Sequence, residues 1–104
     1  MSRTPIHPGI ILGEELDEIG ISATALARQL KIPANRISQI IAGRRNITAD
    51  TALRLGKWFG MSAVFWLNLQ KSYELRLAQK EIGKELNKIP TREHEHRLTP
   101  RPIP

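Results

Sequence analysis

The sequence SATALARQLKIPANRISQIIAG, residues 22–43, holds two short helical patterns on either side of a tight turn. Ser22 can cap the first of these two helices by accepting a hydrogen bond from a free backbone N–H. The predicted buried face of that helix comprises Leu26, Ala27 and Leu30. The turn is Lys31-Ile32-Pro33, because a proline disfavours helical geometry in the residue before it. The second helix is predicted from Ala34 to about Ala42, stopped by Gly43, with Ile37, Ile40 and Ile41 buried. These features predict a helix–turn–helix, whose second helix enters the major groove of DNA.

Three more helices are predicted around this unit. The first starts at Pro8, ends at Gly20 and buries a stripe of Ile11, Leu12, Leu16 and Ile19. Thr48 caps the fourth, which ends at Gly60 and buries Ala52, Leu53, Leu55 and Phe59. Ser62 caps the fifth, which runs from Ala63 to about Asn87 before Pro90. No segment shows the alternation of a strand, so we predict an all-α, five-helix fold with an extended C-terminal helix.

The chain of 104 residues is predicted to form one domain. We assign residues 1–90 to a helix–turn–helix DNA-binding domain with a C-terminal dimerisation helix. Residues 91–104 hold three prolines and alternating charges, which predicts a flexible tail.

The net positive charge of the chain is confined to residues 22–57. This window has a single acid, Asp50, and a net charge of +6, equal to that of the whole chain. Its basic residues are Arg28, Lys31, Arg36, Arg44, Arg45, Arg54 and Lys57. Charge concentrated on a helix–turn–helix predicts a surface that meets DNA phosphates. The alternative is a solvated helix face on a protein that never contacts DNA.

The outward residues of the second helix of the motif suit base recognition. Asn and Gln amides pair with adenine, Arg pairs with guanine, and a small apolar side chain can touch a thymine methyl. The candidates are Ala34, Asn35, Arg36, Ser38 and Gln39, of which Asn35 and Gln39 are the first choices. Arg36, at the start of the helix, can alternatively reach a phosphate.

Residues flanking the two helices are candidates for phosphate contacts. The helix that begins at Ser22 presents a hydroxyl and free amides at its N-terminus, which is a favourable site for an anion. Arg44, Arg45 and Asn46 follow the second helix and would lie along the DNA backbone. Contacts of this kind position a protein on DNA without reading its sequence.

Four segments between residues 7 and about 78 resemble the HigA-type antitoxins, also described as VapI-like addiction-module antidotes. His7-Pro8-Gly9, followed by Ile10-Ile11-Leu12, is similar to their opening HPGEIL. Residues 47–55 match their ITADTALRL helix, residues 65–70 match FWLNLQ, and Tyr73, Leu75 and Arg76 fit the Y-x-L-R that follows. Two positions depart from the pattern, Ile10 in place of Glu and Gly13 in place of a helix former.

The resemblance implies a lambda-repressor-like fold within the Xre group of regulators. It also implies a homodimer that binds double-stranded operator DNA, represses its own operon and neutralises a HigB-type toxin, a ribosome-dependent mRNA endonuclease. A stand-alone regulator of the Xre type, with no toxin partner, is the alternative.

All five aromatic residues fall within 16 residues: Trp58, Phe59, Phe65, Trp66 and Tyr73. At this spacing we expect them to pack the fourth helix against the fifth rather than to form a cofactor site. The fifth helix also carries a second apolar stripe, which a monomer would leave exposed. We therefore predict that a twofold dimer forms through Leu75, Ala78, Ile82 and Leu86, with Ile89 continuing the stripe.

Nothing in the sequence indicates an enzyme. There is no nucleophile–base pairing, glycine-rich phosphate loop or metal-ligand spacing, so we expect no catalysis, metal or cofactor. His94 and His96, beside Glu93 and Glu95, could suggest a metal site, but a flexible tail lacks the fixed geometry of one. His7 is expected to help cap the first helix. The absence of cysteine, of a secretory signal and of an apolar span favours the cytoplasm.

Overall fold

The computed structural model describes residues 4–92, and within that range it contains five α-helices and no strand. They are α1 (Pro8–Ile19), α2 (Ala23–Leu30), α3 (Ala34–Ile41), α4 (Ala49–Phe59) and α5 (Ala63–Leu86). The all-α, five-helix prediction is confirmed. The predicted flexible tail falls almost entirely outside the described residues, as do His94 and His96. No helix in the described range is long and apolar enough to cross a membrane.

Side-chain caps start four of the five helices. The His7 ring accepts a hydrogen bond from the Gly9 N–H at 2.9 Å, and the Ser22 hydroxyl accepts one from the Ala25 N–H at 3.0 Å. Thr48 and Ser62 cap α4 and α5 in the same way. These caps satisfy backbone donors that have no partner inside the helix, and they occur at the predicted residues.

The core lies where all five helices meet. Its fully buried members are Leu12, Leu16, Leu26, Ala27, Leu30, Ile37, Ile40, Ile47, Ala52, Leu55 and Trp66. Burial of each large side chain stabilises the fold by about 1.5–3 kcal/mol. Close approach of α1 and α3 depends on Gly9, because a Cβ there would lie 1.9 Å from the Ile40 carbonyl oxygen.

Two residues predicted to be buried are exposed. Leu53 is 65% exposed, because it lies about 200° around α4 from the buried Leu55. Ile19 is 50% exposed; it shares the stripe of Leu12 and Leu16 but occupies the last residue of α1, where the helix ends at Gly20. Both predictions were wrong because of where these residues lie on their helices, not because of their hydrophobicity.

Aromatic packing joins α4 to α5 as expected through Phe59 and Trp66, whereas Phe65, beside Trp66 on α5, is 41% exposed. Trp66 is fully buried and contacts Phe59 and Phe65, with ring centroids 5.5 and 5.2 Å apart. Trp58 packs edge-on against Phe59. The prediction was wrong for Tyr73, which packs instead against the His7 ring at 4.9 Å and so fixes α5 to the start of α1.

Candidate nucleic-acid interface

The turn between α2 and α3 has the geometry of a tight helix–turn–helix. Lys31 adopts a left-handed conformation with φ 63°, which reverses the chain directly after α2. The Ile32 N–H then donates to the Ala27 carbonyl at 3.1 Å, and Ala27 is itself fully buried. Because Ala27 has so small a side chain, the two helices pack closely at this point.

The outward face of α3 carries the five residues predicted to contact bases. Ile37 and Ile40 anchor the opposite face of the helix in the core. Ala34, Asn35 and Ser38 are exposed, whereas Arg36 and Gln39 are partly buried. The Ser38 hydroxyl donates to the Asn35 carbonyl at 3.0 Å, so its oxygen remains able to accept a hydrogen bond.

The end of α3 folds back on its own last turn. Gly43, with φ 78°, donates its N–H to the Ile40 carbonyl, and the Arg44 N–H donates to the Gln39 carbonyl, both at 2.9 Å. This is the double hydrogen bond of a Schellman motif, which favours glycine at the left-handed position. The exposed residues Arg44, Arg45 and Asn46 therefore begin beside the last turn of the candidate base-contacting helix.

One contact joins two residues that the sequence placed in different groups. The Arg45 Nε–H donates to the Gln39 side-chain oxygen Oε1 at 3.0 Å. Gln39 was a candidate base contact and Arg45 a candidate phosphate contact. Nothing in the one-dimensional spacing of these residues indicated that their side chains touch.

Ser22 and its neighbouring amides lie at the start of α2. The Ser22 oxygen accepts from the Ala25 N–H, and the side chain is exposed. The hydroxyl hydrogen is not used by this bond, so the same group can still donate to an anion.

One of the seven basic residues in the charged window makes structural contacts at the surface of the protein. The Arg54 Nε–H donates to the Asp50 carboxylate at 2.7 Å, and its Nη1 group donates to the Leu30 carbonyl at 2.8 Å. Leu30 is the last residue of α2, so Arg54 satisfies a carbonyl that has no partner inside that helix. In the sequence Arg54 counts only as one of the basic residues of the window, and this structural role was not predicted.

Gln70 holds the segment between α3 and α4 in place, and sequence reasoning also missed it. This buried side chain accepts from the Ile47 N–H at 2.8 Å and donates to the Glu74 carboxylate at 2.9 Å. The bond from Gln70, with a further one from Lys71, holds the pKa of Glu74 below its ordinary value. Its position as the last residue of the FWLNLQ segment was the only signal in the sequence.

The second apolar stripe of α5 is exposed in the single chain. Leu75, Ala78, Ile82 and Leu86 line a groove of about 380 Å³, and Leu75 is 67% exposed. Ile82 departs from helical geometry, with φ −114° and ψ 16°, so α5 is kinked beside Gly83. The sequence predicted an unbroken helix here; glycine has low helix propensity, which favours a kink at this point.

The described residues offer no group of three or more His, Cys, Asp and Glu side chains placed as metal ligands would be.

Comparisons with known proteins agree with this architecture. A helix-turn-helix family model matches residues 12–66. Virulence-associated protein I of Dichelobacter nodosus is 51% identical over 77 residues, which covers 73% of this chain and 71% of that protein. A HigA-family addiction module antidote protein from Coxiella burnetii superposes with a TM-score of 0.83 at 51% identity, over 88% of this chain and 100% of that one. The Pseudomonas aeruginosa antitoxin HigA, solved with the higBA promoter, gives a TM-score of 0.79 at 46% identity, over 85% and 97% of the two chains.

Proposed function

Because the chain belongs to the helix-turn-helix regulators of the HigA antitoxin family, we propose that it binds operator DNA as a homodimer, represses its own operon and neutralises a HigB-type toxin. The observation that carries the DNA-binding part is the outward face of α3, with exposed basic residues folded back beside it. A similar protein, the Pseudomonas aeruginosa HigA antitoxin, has been solved with promoter DNA.

In this proposal α3 enters the major groove. Its base contacts are Ala34, Asn35, Arg36, Ser38 and Gln39, and the flanking phosphate contacts come from Ser22, Arg44, Arg45 and Asn46. Each bidentate pair with the correct base is worth about 1–3 kcal/mol of discrimination. Lysine and arginine contacts to phosphates supply affinity that falls steeply with salt.

The dimer in this proposal forms through the exposed stripe of α5. Four side chains meet their twofold copies there: Leu75, Ala78, Ile82 and Leu86. A single chain leaves this apolar groove in contact with water, which disfavours the monomer. Twofold symmetry then places two α3 helices about 34 Å apart, which requires a roughly palindromic operator.

DNA binding is tested by fluorescence anisotropy with the DNA upstream of this gene and with random DNA of equal length. Gln39→Ala should weaken binding to the upstream DNA and relax preference at one position per half-site. Asn68→Ala, which removes an exposed amide on α5, is the matched control. Equal losses on specific and random DNA for Gln39→Ala would contradict its role as a base contact.

Phosphate contact is tested by the salt dependence of the same measurement. Arg44→Ala should weaken binding to all sequences alike and lower the salt slope by about 1. Lys80→Ala removes the same charge from α5 and should leave the slope unchanged.

The antitoxin role is tested by expressing the small open reading frame adjacent to this gene, alone and together with this protein. Growth arrest by the neighbour alone and rescue by both together would support neutralisation. A well-expressed neighbour that causes no arrest would leave a DNA-binding regulator without a toxin partner.

A further inference from the structure

We propose that Arg45 determines base specificity by positioning Gln39, so that the pair selects guanine rather than adenine in the major groove. The inference rests on the proposed function, since it assigns a role within the same DNA-binding surface. The hydrogen bond from Arg45 Nε to Gln39 Oε1 carries it.

The chemistry of arginine fixes the orientation of the Gln39 amide. A guanidinium group has five N–H donors and no acceptor, so the Gln39 atom that it contacts must be the oxygen. The Gln39 nitrogen Nε2 is then directed away from Arg45 with two N–H donors. The oriented Gln39 amide therefore presents its two hydrogen-bond donors toward the groove-facing side.

A surface of donors suits guanine and disfavours adenine. Guanine offers two acceptors in the major groove, O6 and N7, whereas adenine offers N7 beside an amino donor at N6. A glutamine pairs with adenine when its oxygen accepts from N6. Here Arg45 already donates to that oxygen, so an adenine amino group would have to share it, whereas guanine needs only the two free Nε2 donors.

The backbone brings Arg45 to Gln39. Gly43 reverses the chain with φ 78°, and the Arg44 N–H is bonded to the Gln39 carbonyl, so Arg45 follows directly beside this turn of α3. A Cβ at Gly43 would meet no atom within 4 Å, so the left-handed backbone alone favours glycine there. Arg44 contributes its backbone to the same reversal, which makes its side chain the natural control.

The test measures the binding of the full chain to operator variants that carry each of the four bases at every position. Wild-type protein should prefer guanine, by about tenfold over adenine, at the position where Gln39→Ala abolishes preference. Arg45→Met should shift that preference toward adenine, and Arg45→Lys should shift it less, because lysine keeps donors without an acceptor but lacks the rigid fork of the guanidinium. Arg44→Met should weaken binding to all variants alike.

A double-mutant cycle separates positioning from an independent phosphate contact. If Arg45 acts through Gln39, the base preference of Gln39→Ala and Arg45→Met combined equals that of Gln39→Ala alone. Equal losses on all four bases for Arg45→Met would overturn the proposal.

The binding of the wild-type protein to upstream and random DNA distinguishes a failure of this inference from a failure of the proposed function. Wild-type protein that does not distinguish the upstream DNA from random DNA would overturn both. A specific wild-type protein with an unaltered base profile in Arg45→Met would overturn only the role of Arg45. Arg45 is exposed, so a circular dichroism melting curve close to wild type is expected and checks that the variants are folded.

Discussion

The two halves of α5 both carry large apolar side chains but differ in what they pack against. Residues 63–74 include Trp66 and Gln70, both buried against α4 and the segment before it. Residues 75–86 have no buried member, and Leu75, Ile82 and Leu86 are exposed in the single chain. The position of neighbouring elements, rather than the composition of the helix, decides which half contributes to the core. The first half contributes to the core, and the second half presents the surface that we propose forms the dimer.

The largest effect is expected from a substitution in residues 63–74, the half of α5 that packs against α4. Trp66→Ala removes a fully buried side chain that contacts Phe59 and Phe65, so the free energy of unfolding should fall by about 3–5 kcal/mol. Urea denaturation followed by circular dichroism measures it. Trp66→Phe is the control, because it keeps a ring and removes an indole N–H that has no hydrogen-bond partner among residues 4–92. Comparable losses in both variants would contradict the packing argument.

The next largest effect is expected from a substitution in residues 75–86, the exposed half of α5. Ile82→Asp should weaken the dimer by about 3 kcal/mol, roughly 150-fold in dissociation constant, because the interface would bury an unpaired carboxylate. The unfolding of the monomer should change little, since Ile82 is 44% exposed. Analytical ultracentrifugation measures the first quantity.

A matched control for the dimer is Lys80→Asp, which places the same carboxylate about 200° around the helix from Ile82. It should leave the dimer intact. Light scattering that finds wild-type protein monomeric at micromolar concentration would rule out this interface.

A smaller effect is expected at the hydrogen bond that ties α5 to the segment before α4. Gln70→Ala leaves the Ile47 N–H without its acceptor, which should lower the free energy of unfolding by about 1–3 kcal/mol. Asn68→Ala, an exposed amide on the same half of α5, should change it by less than about 0.5 kcal/mol. Equal losses in the free energy of unfolding for the two variants would show that the hydrogen bond from the Ile47 N–H to Gln70 does not stabilise the fold. Chemical denaturation at neutral pH gives both values.

The smallest effect lies at the junction of the two halves. Hydrogen bonds from Gln70 and Lys71 lower the pKa of Glu74 in the folded state. Its carboxylate therefore stabilises the fold at pH values above the ordinary carboxyl pKa, and this contribution disappears as pH falls through the lowered value. Glu74→Gln should be slightly less stable than wild type at pH 7, and the difference should shrink as the pH falls through the lowered pKa. A difference that does not change with pH in the acid range would show that the carboxylate charge is not responsible.

The helix boundaries could be predicted because their signals are local. Ser22, Thr48 and Ser62 cap the helices that they precede, and Gly20 and Gly60 end helices in the left-handed conformation. A cap or a helix end depends on residues within one turn, so the sequence around it contains the necessary information.

The contacts that shape the candidate site could not be predicted in the same way. Gln70 and Ile47 are 23 residues apart, and Arg54 and Leu30 are 24 apart, so their bonds exist only after several helices have packed. Leu53 was predicted to be buried and is exposed. A helical pattern of apolar residues does not tell which side of the helix packs against a neighbouring element. The Arg45–Gln39 bond is local, but it requires the chain reversal at Gly43 to be known in three dimensions.

The pairing of Arg54 with Asp50 has a kinetic consequence. The only acid of the charged window is bound to one of its seven bases, which leaves six basic side chains to produce the whole net charge of +6. Within residues 4–92 none of these six lies within 4 Å of a carboxylate. Their field extends beyond contact distance and attracts a polyanion before any base is read. Association with DNA should therefore be fast and slowed by salt, whereas the lifetime of the complex should depend on the contacts proposed for α3.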